Sequence, residues 1–129
     1  MCRGYNLKDE VFGKLNVGVD IIEIIRFRNK PLNKNNASFY DSIFTKSELM
    51  YCMKYSDPYP HLAGIFAAKE AILKCLTIPL RMIDIEIKHD HQDGKPSTRI
   101  RSKKTKAIQA RISISHTKSI AIAAAVTNS

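Results

Sequence analysis

The segment HLAGIFAAKEAILKCL, residues 61–76, constrains the fold more than any other part of this 129-residue chain. At 3.6 residues per turn, Leu62, Ile65, Phe66, Ile72, Leu73 and Leu76 make one apolar stripe. Ala63, Gly64, Ala67, Ala68 and Ala71 make the opposite side, where side chains this small let another backbone come close. The helix has almost no polar face, so the spacing predicts that it is central and buried. Yet Lys69 falls in the middle of the stripe, and Glu70 lies at its edge toward the small residues. A charge in such surroundings is costly unless something satisfies it. The two residues therefore read either as an adjacent ion pair at a helix surface or as groups that hold a ligand or metal.

A second carboxylate stands in an apolar run. In VGVDII, residues 17–22, Val17, Val19 and Ile21 alternate with Gly18 and Asp20, which predicts a short strand. From Ile21 to Arg28 the apolar spacing turns helical, so Asp20 is expected where strand becomes helix. It is either the N-cap of that helix or a metal ligand. Asp20 and Glu70 together suit a hard divalent cation such as Mg2+, which takes oxygen ligands and keeps waters for a phosphate substrate.

The remaining pattern predicts an α+β domain occupying residues 1–129, a small antiparallel sheet packed around the buried helix. Asn-rich residues 29–38 are a loop, and residues 39–44 a short helix. Thr45 and Glu48 have the spacing of a capping box and start a third helix. After Pro79, residues 83–88, 95–100, 112–115 and 120–126 read as strands. Residues 1–14 are polar with one short structured piece. Residues 101–110, RSKKTKAIQA, are a basic surface helix or loop.

Charge and cysteine usage narrow the partners. Lys and Arg number 21 against 12 Asp and Glu, a net charge of +9, which favours a polyanionic partner: nucleic acid, a phosphorylated cofactor or an acidic protein. The aromatic residues are not interleaved with the basic ones as a single-strand stacking platform requires. A basic nucleic-acid-binding module would explain the charge and the RSKKTK stretch, but not Lys69-Glu70. Cys2, Cys52 and Cys75 are unevenly spaced, without a CxxC, which argues against a disulfide framework or zinc site. No apolar run spans a bilayer and no signal segment follows the N-terminal charges, so a cytoplasmic protein is expected.

Three smaller motifs remain. Gly94-Lys95-Pro96 follows an acidic turn and is either an ordinary hairpin turn or a turn whose backbone and lysine meet a phosphate. In Ser113-Ile114-Ser115-His116, the strand-end histidine is either solvated or a phosphate contact. His89-Asp90-His91 lacks further ligands at regular spacing and reads as solvated loop rather than a metal site.

Taken in order, Gly18-Val19-Asp20-Ile21, Phe44-Thr45 with Glu48-Leu49, Phe66-Ala67-Ala68-Lys69-Glu70-Ala71, Gly94-Lys95-Pro96 and Ser113-Ile114-Ser115-His116 resemble holo-acyl-carrier-protein synthase, the small class of 4'-phosphopantetheinyl transferases. The resemblance runs from about residue 16 to residue 126. It implies transfer of the phosphopantetheine arm of coenzyme A to a serine of an acidic apo-acyl carrier protein, in fatty acid biosynthesis, with release of adenosine 3',5'-bisphosphate. It implies a homotrimer with active sites between subunits, and magnesium on Asp20 and Glu70. It assigns Lys69 and Lys74 to coenzyme A or its phosphates, Lys69 offsetting charge on the departing phosphate. Gly94, Lys95, Pro96 and His116 line the cofactor site, and Arg26 and Arg28 grip the carrier. No membrane or nucleic acid takes part in that reaction. The chain departs from the family at Ile65, where an arginine is usual, at Thr77-Ile78-Pro79-Leu80, which replaces a glycine loop, and in the shortened stretch around Lys103, Lys104 and Lys106. These departures leave room for a catalytically weakened member that still binds carrier protein.

Overall fold

The computed structural model describes residues 14–101 and 108–128. The expected N-terminal piece, Cys2 and the lysines of the RSKKTK stretch lie outside them.

Strand β1 (Leu15–Glu23) pairs antiparallel with β5 (Ile120–Asn128), and β5 with β4 (Ala110–His116), giving the order β1-β5-β4. Strands β2 (Ile85–His89) and β3 (Pro96–Ile100) form a separate hairpin, so the single expected sheet is two. Four α-helices are described: α1 (Ile25–Arg28), α2 (Ala37–Ile43), α3 (Lys46–Cys52) and α4 (Tyr59–Cys75). The Thr45–Glu48 capping box forms as expected. Thr45 Oγ1 accepts from the Glu48 amide at 3.3 Å, and Glu48 Oε1 accepts from the Thr45 amide at 2.8 Å. Gly94, at φ +70°, allows the left-handed turn between β2 and β3.

The first strand is longer than expected. It does not stop at Asp20: the ladder to β5 runs on to Glu23 opposite Ile120, and Ile24 N donates to Ser119 O at 2.8 Å. Helix α1 therefore begins only at Ile25, Asp20 lies inside a strand opposite Ala123, and the N-cap reading of Asp20 fails. The structure also fixes which face of the alternation meets the core. Val17, Val19 and Ile21 point out of the fold, Val17 being 70 % exposed and Ile21 63 %. Gly18, Asp20 and Ile22 point inward, onto α4.

That orientation follows from α4. Its small side lies on the sheet, against Ala121, Ala123 and Ala125 of β5, all buried. A Cβ on Gly18 would stand 2.1 Å from the Ala71 carbonyl oxygen, and one on Gly64 would stand 2.8 Å from Ile114 Cγ2. Small residues on both partners let helix and sheet backbones nearly touch. The other side of α4 packs into the main core, where Phe27 meets Phe39, Tyr40, Phe44 and Phe66. Among the described residues no helix is long and apolar enough to cross a membrane.

Because the Ala71 carbonyl is fixed backbone, Gly18→Ala must push helix and sheet apart. We expect it to cost about 3 kcal/mol or more, read as a lowered urea midpoint. An unchanged midpoint would show that the contact is not tight.

Candidate functional site

Phe66, Glu70 and Lys74 recur every four residues and so share one face of α4. At the far end of this face Lys74 Nζ donates to the Val19 carbonyl at 2.8 Å and to Asp20 Oδ1 at 3.2 Å. At the near end the Arg26 guanidinium stands 5.8 Å over the Phe66 ring, a cation–π contact. Glu70, half-buried, lies one turn from each. Asp20 reaches this face because the inward register of β1 sets it beside Gly18, where the helix lies closest. The structure thus brings Asp20, Arg26, Glu70 and Lys74 to one side of α4.

The donor set on this face is two carboxylates and a lysine. Among the described residues no three His, Cys, Asp or Glu side chains cluster as a protein-only metal cage. Two carboxylates fit magnesium, which is typically bound by one or two carboxylates together with substrate phosphates.

Lys69 does not belong to this face. Its side chain is 0 % exposed, its Nζ lies 2.7 Å from Glu48 Oε1, and it also donates to the Ile43 carbonyl. Glu48 Oε2 accepts from the Ile87 amide at 2.7 Å. Lys69 thus ties α4 to the end of α2, the cap of α3 and strand β2. Burial pulls its ammonium below the usual lysine range, against the opposing pull of Glu48. The expectation that Lys69 meets coenzyme A or a leaving phosphate is corrected: the lysine satisfies a buried carboxylate and has no surface to offer a ligand.

The other expected residues fall into two further groups. His116, at the end of β4, lines a 570 Å³ cavity with Arg28, Asp57 and Lys118. Arg28 is held there by Asp57 through two parallel hydrogen bonds of 3.0 and 2.7 Å, which pull the Asp57 carboxyl below its usual value. Its guanidinium is therefore already engaged, unlike that of Arg26. Lys95 and Pro96, next to Gly94, line a 720 Å³ groove between β3 and β4 that also takes in Arg111 and Ser113. The β1 and β4 groups lie at opposite edges of the β1-β5-β4 sheet. Helix α4 crosses it between them, from Gly64 at Ile114 to Ala71 at Gly18.

Several residues of these groups were not singled out from sequence. Glu48 was visible only as a capping residue, although its second oxygen and Lys69 give it a role in the core. Asp57 sits in the helix-ending SDPYP stretch and carries no motif. Ile65 is buried in the core. Of His89-Asp90-His91, Asp90 and His91 fall in the turn as the solvated reading holds, with Asp90 Oδ1 accepting from the Gln92 and Asp93 amides, whereas His89 ends strand β2, half-buried, with its ring flat on Tyr51. Cys52 and Cys75 are buried free thiols, and burial together with Glu48 pushes Cys52 up to about 12.

Residues 16–125 match the model of the 4'-phosphopantetheinyl transferase superfamily. The chain is 38 % identical over 109 residues to the holo-[acyl-carrier-protein] synthase of Thermodesulfovibrio yellowstonii, covering 83 % of this chain and 92 % of that one. It is 39 % identical over 122 residues to that of Protochlamydia amoebophila, covering 89 % and 98 %. Its fold matches the crystal structure of the Helicobacter pylori holo-[acyl-carrier-protein] synthase in complex with coenzyme A. There the TM-score is 0.75 at 30 % identity, over 86 % of this chain and 98 % of that one.

Removing Lys69 alone strands Glu48 as a buried charge, so Lys69→Met should cost about 3–5 kcal/mol. Adding Glu48→Gln, which removes the charge and keeps an acceptor for one of the two amides, should recover part of the loss. Chemical denaturation of both single variants and the double variant checks this; additive losses would contradict the strut.

Proposed function

The chain belongs to the 4'-phosphopantetheinyl transferase superfamily, and on that premise we propose that it moves the phosphopantetheine arm of coenzyme A onto a serine of an apo-acyl carrier protein. The observation that carries this reading is the Lys74–Asp20 contact, which sets Asp20 on the same face as Glu70. Such a face gathers the groups that phosphoryl transfer needs: carboxylates for a metal and cations for a departing phosphate.

Asp20 and Glu70 are the residues that would hold magnesium, which when bound supplies positive charge to the pyrophosphate of coenzyme A. Glu70 accepts the proton of the carrier serine hydroxyl. The serine oxygen bonds to the β-phosphorus as the bond from that phosphorus to the bridging oxygen breaks. That oxygen leaves with adenosine 3',5'-bisphosphate. Lys74, not Lys69, is placed to offset the charge gathering on the leaving group, since its ammonium is half exposed beside Asp20. Arg26, over Phe66 and one turn from Glu70, is the cation we assign to the acidic carrier. To the rest of coenzyme A we assign Lys95 and Pro96 in the groove between β3 and β4, and His116 in the cavity beside Arg28.

Two features support a trimer with sites between subunits. The outer face of β1 and β5 exposes Val17, Val19, Ile21, Ile122 and Val126 together, a contiguous apolar surface that a monomer rarely leaves in water. The candidate residues are also split across α4, so a single chain presents Asp20, Glu70 and Lys74 on one side and His116 on the other. A neighbouring copy covering the sheet face would bring one chain's first group to another chain's second.

The direct test is the mass of an apo-carrier protein after incubation with this chain, coenzyme A and magnesium. The expected result is a gain equal to the phosphopantetheine arm, abolished by chelator. Arg26→Ala should raise KM for the carrier about tenfold, as loss of a charge-assisted contact does, with kcat nearly kept. No mass gain on a carrier that a known synthase modifies would refute the proposal.

A further inference from the structure

Behind His116 stands a chain of ring contacts, two stacked pairs joined edge-on, that no part of the proposed reaction uses. Tyr51 lies flat on His89 at 3.9 Å between centroids and 3° between planes. Its hydroxyl meets that of Tyr55 at 3.2 Å. Tyr55 lies flat on His61 at 3.6 Å and 16°, and His61 meets His116 edge-on at 5.4 Å and 75°. His61 is in the first turn of α4, directly after Pro60. Its backbone is fixed by the helix, its ring by Tyr55. His116, in contrast, is an exposed residue at a strand end. Its only other described partner is the carbonyl of the adjacent Thr117, at 3.3 Å.

We infer that His61 is a positioning residue: stacked on Tyr55, it holds the His116 ring at the wall of the cavity shared with Arg28 and Lys118, turned to meet an anionic group of the bound cofactor. The inference rests on the reading of His116 as a coenzyme A contact. Every group packed around His61 agrees with it. Tyr51 and Tyr55 face it from α3 and the turn beyond, and His116 faces it from β4. The nearby carboxylate, Asp57, is occupied by Arg28. His89 adds a further imidazole on the far side of Tyr51. Burial, and then the neighbouring His116, pull His61 below the usual histidine value, with Asp57 pulling the other way. At neutral pH His61 is therefore uncharged and sets no like charge against His116. What His61 contributes is a flat ring, which a phenylalanine can replace and an alanine cannot.

The test compares H61A and H61F in coenzyme A titration, steady-state kinetics and NMR titration of the His116 ring signals against pH. H61A should raise KM and Kd for coenzyme A about three- to tenfold, the worth of an aromatic pair, with kcat within about twofold by the same measure. H61F should restore both. The His116 signals of the wild-type chain should carry an inflection from the protonation of the adjoining His61 that disappears in H61F. Wild-type coenzyme A affinity in H61A, no rescue in H61F, or an inflection that persists in H61F would each overturn the inference. Failure of the wild-type chain itself to bind coenzyme A would overturn the proposed function instead. The inflection would then decide by itself whether His61 and His116 are in contact.

Discussion

The close approach of α4 to the β1-β5-β4 sheet is the constraint on which the rest of the structure depends. Gly18 and Gly64 have no room for a side chain, and the alanines of α4 and β5 meet between them. A helix this near a sheet has little rotational freedom. With its small side on the sheet, Leu62, Ile65, Lys69 and Ile72 turn to the main core, and Phe66, Glu70 and Lys74 turn toward β1. Position along the helix matters as much as rotation. Gly18 fixes the height of Ala71, and the next inward residue of β1, two along, is Asp20 beside Lys74.

Two charged residues adjacent in sequence therefore have opposite fates. Lys69 and Glu70 are separated by a 100° turn, which suffices to put one in the core and the other on the face shared with Lys74 and Asp20. The buried lysine is matched by Glu48, itself bonded to the Thr45 and Ile87 amides, so no charge is left uncompensated. The strut joins α3 and β2 to α4 and steadies the helix that carries Glu70.

Much of this was legible in sequence, and the failures have physical causes. The buried helix with its small-residue side, the Thr45 capping box and the hairpin at Gly94 could all be read, because each rests on local spacing or backbone chemistry. The direction of β1 could not. An alternating strand shows two faces but not which of them meets the core, and here the apolar face is the outer one because the inner face must carry glycine at position 18, where no side chain fits beneath α4. The same missing information placed Asp20 at a helix start, since the β5 partner that extends β1 to Glu23 lies about a hundred residues away. Lys69 was recognised as buried and needing a partner, but Glu48 already had a sufficient local explanation as a cap. The resemblance to holo-acyl-carrier-protein synthase was readable from five short motifs in order, and the family match over residues 16–125 agrees with it. Which motif residues share a face emerged only from the packing of α4.

On the proposed reading, Asp20 and Glu70, set on one face by that packing, hold a single divalent cation together with coenzyme A. Electron paramagnetic resonance of Mn2+ tests it most directly, by following free manganese as the protein is titrated with coenzyme A present. The wild-type chain should bind the ion in a manner dependent on coenzyme A, and Asp20→Asn and Glu70→Gln should each abolish that binding while leaving the fold intact by circular dichroism. Wild-type manganese binding in either variant would contradict a shared site.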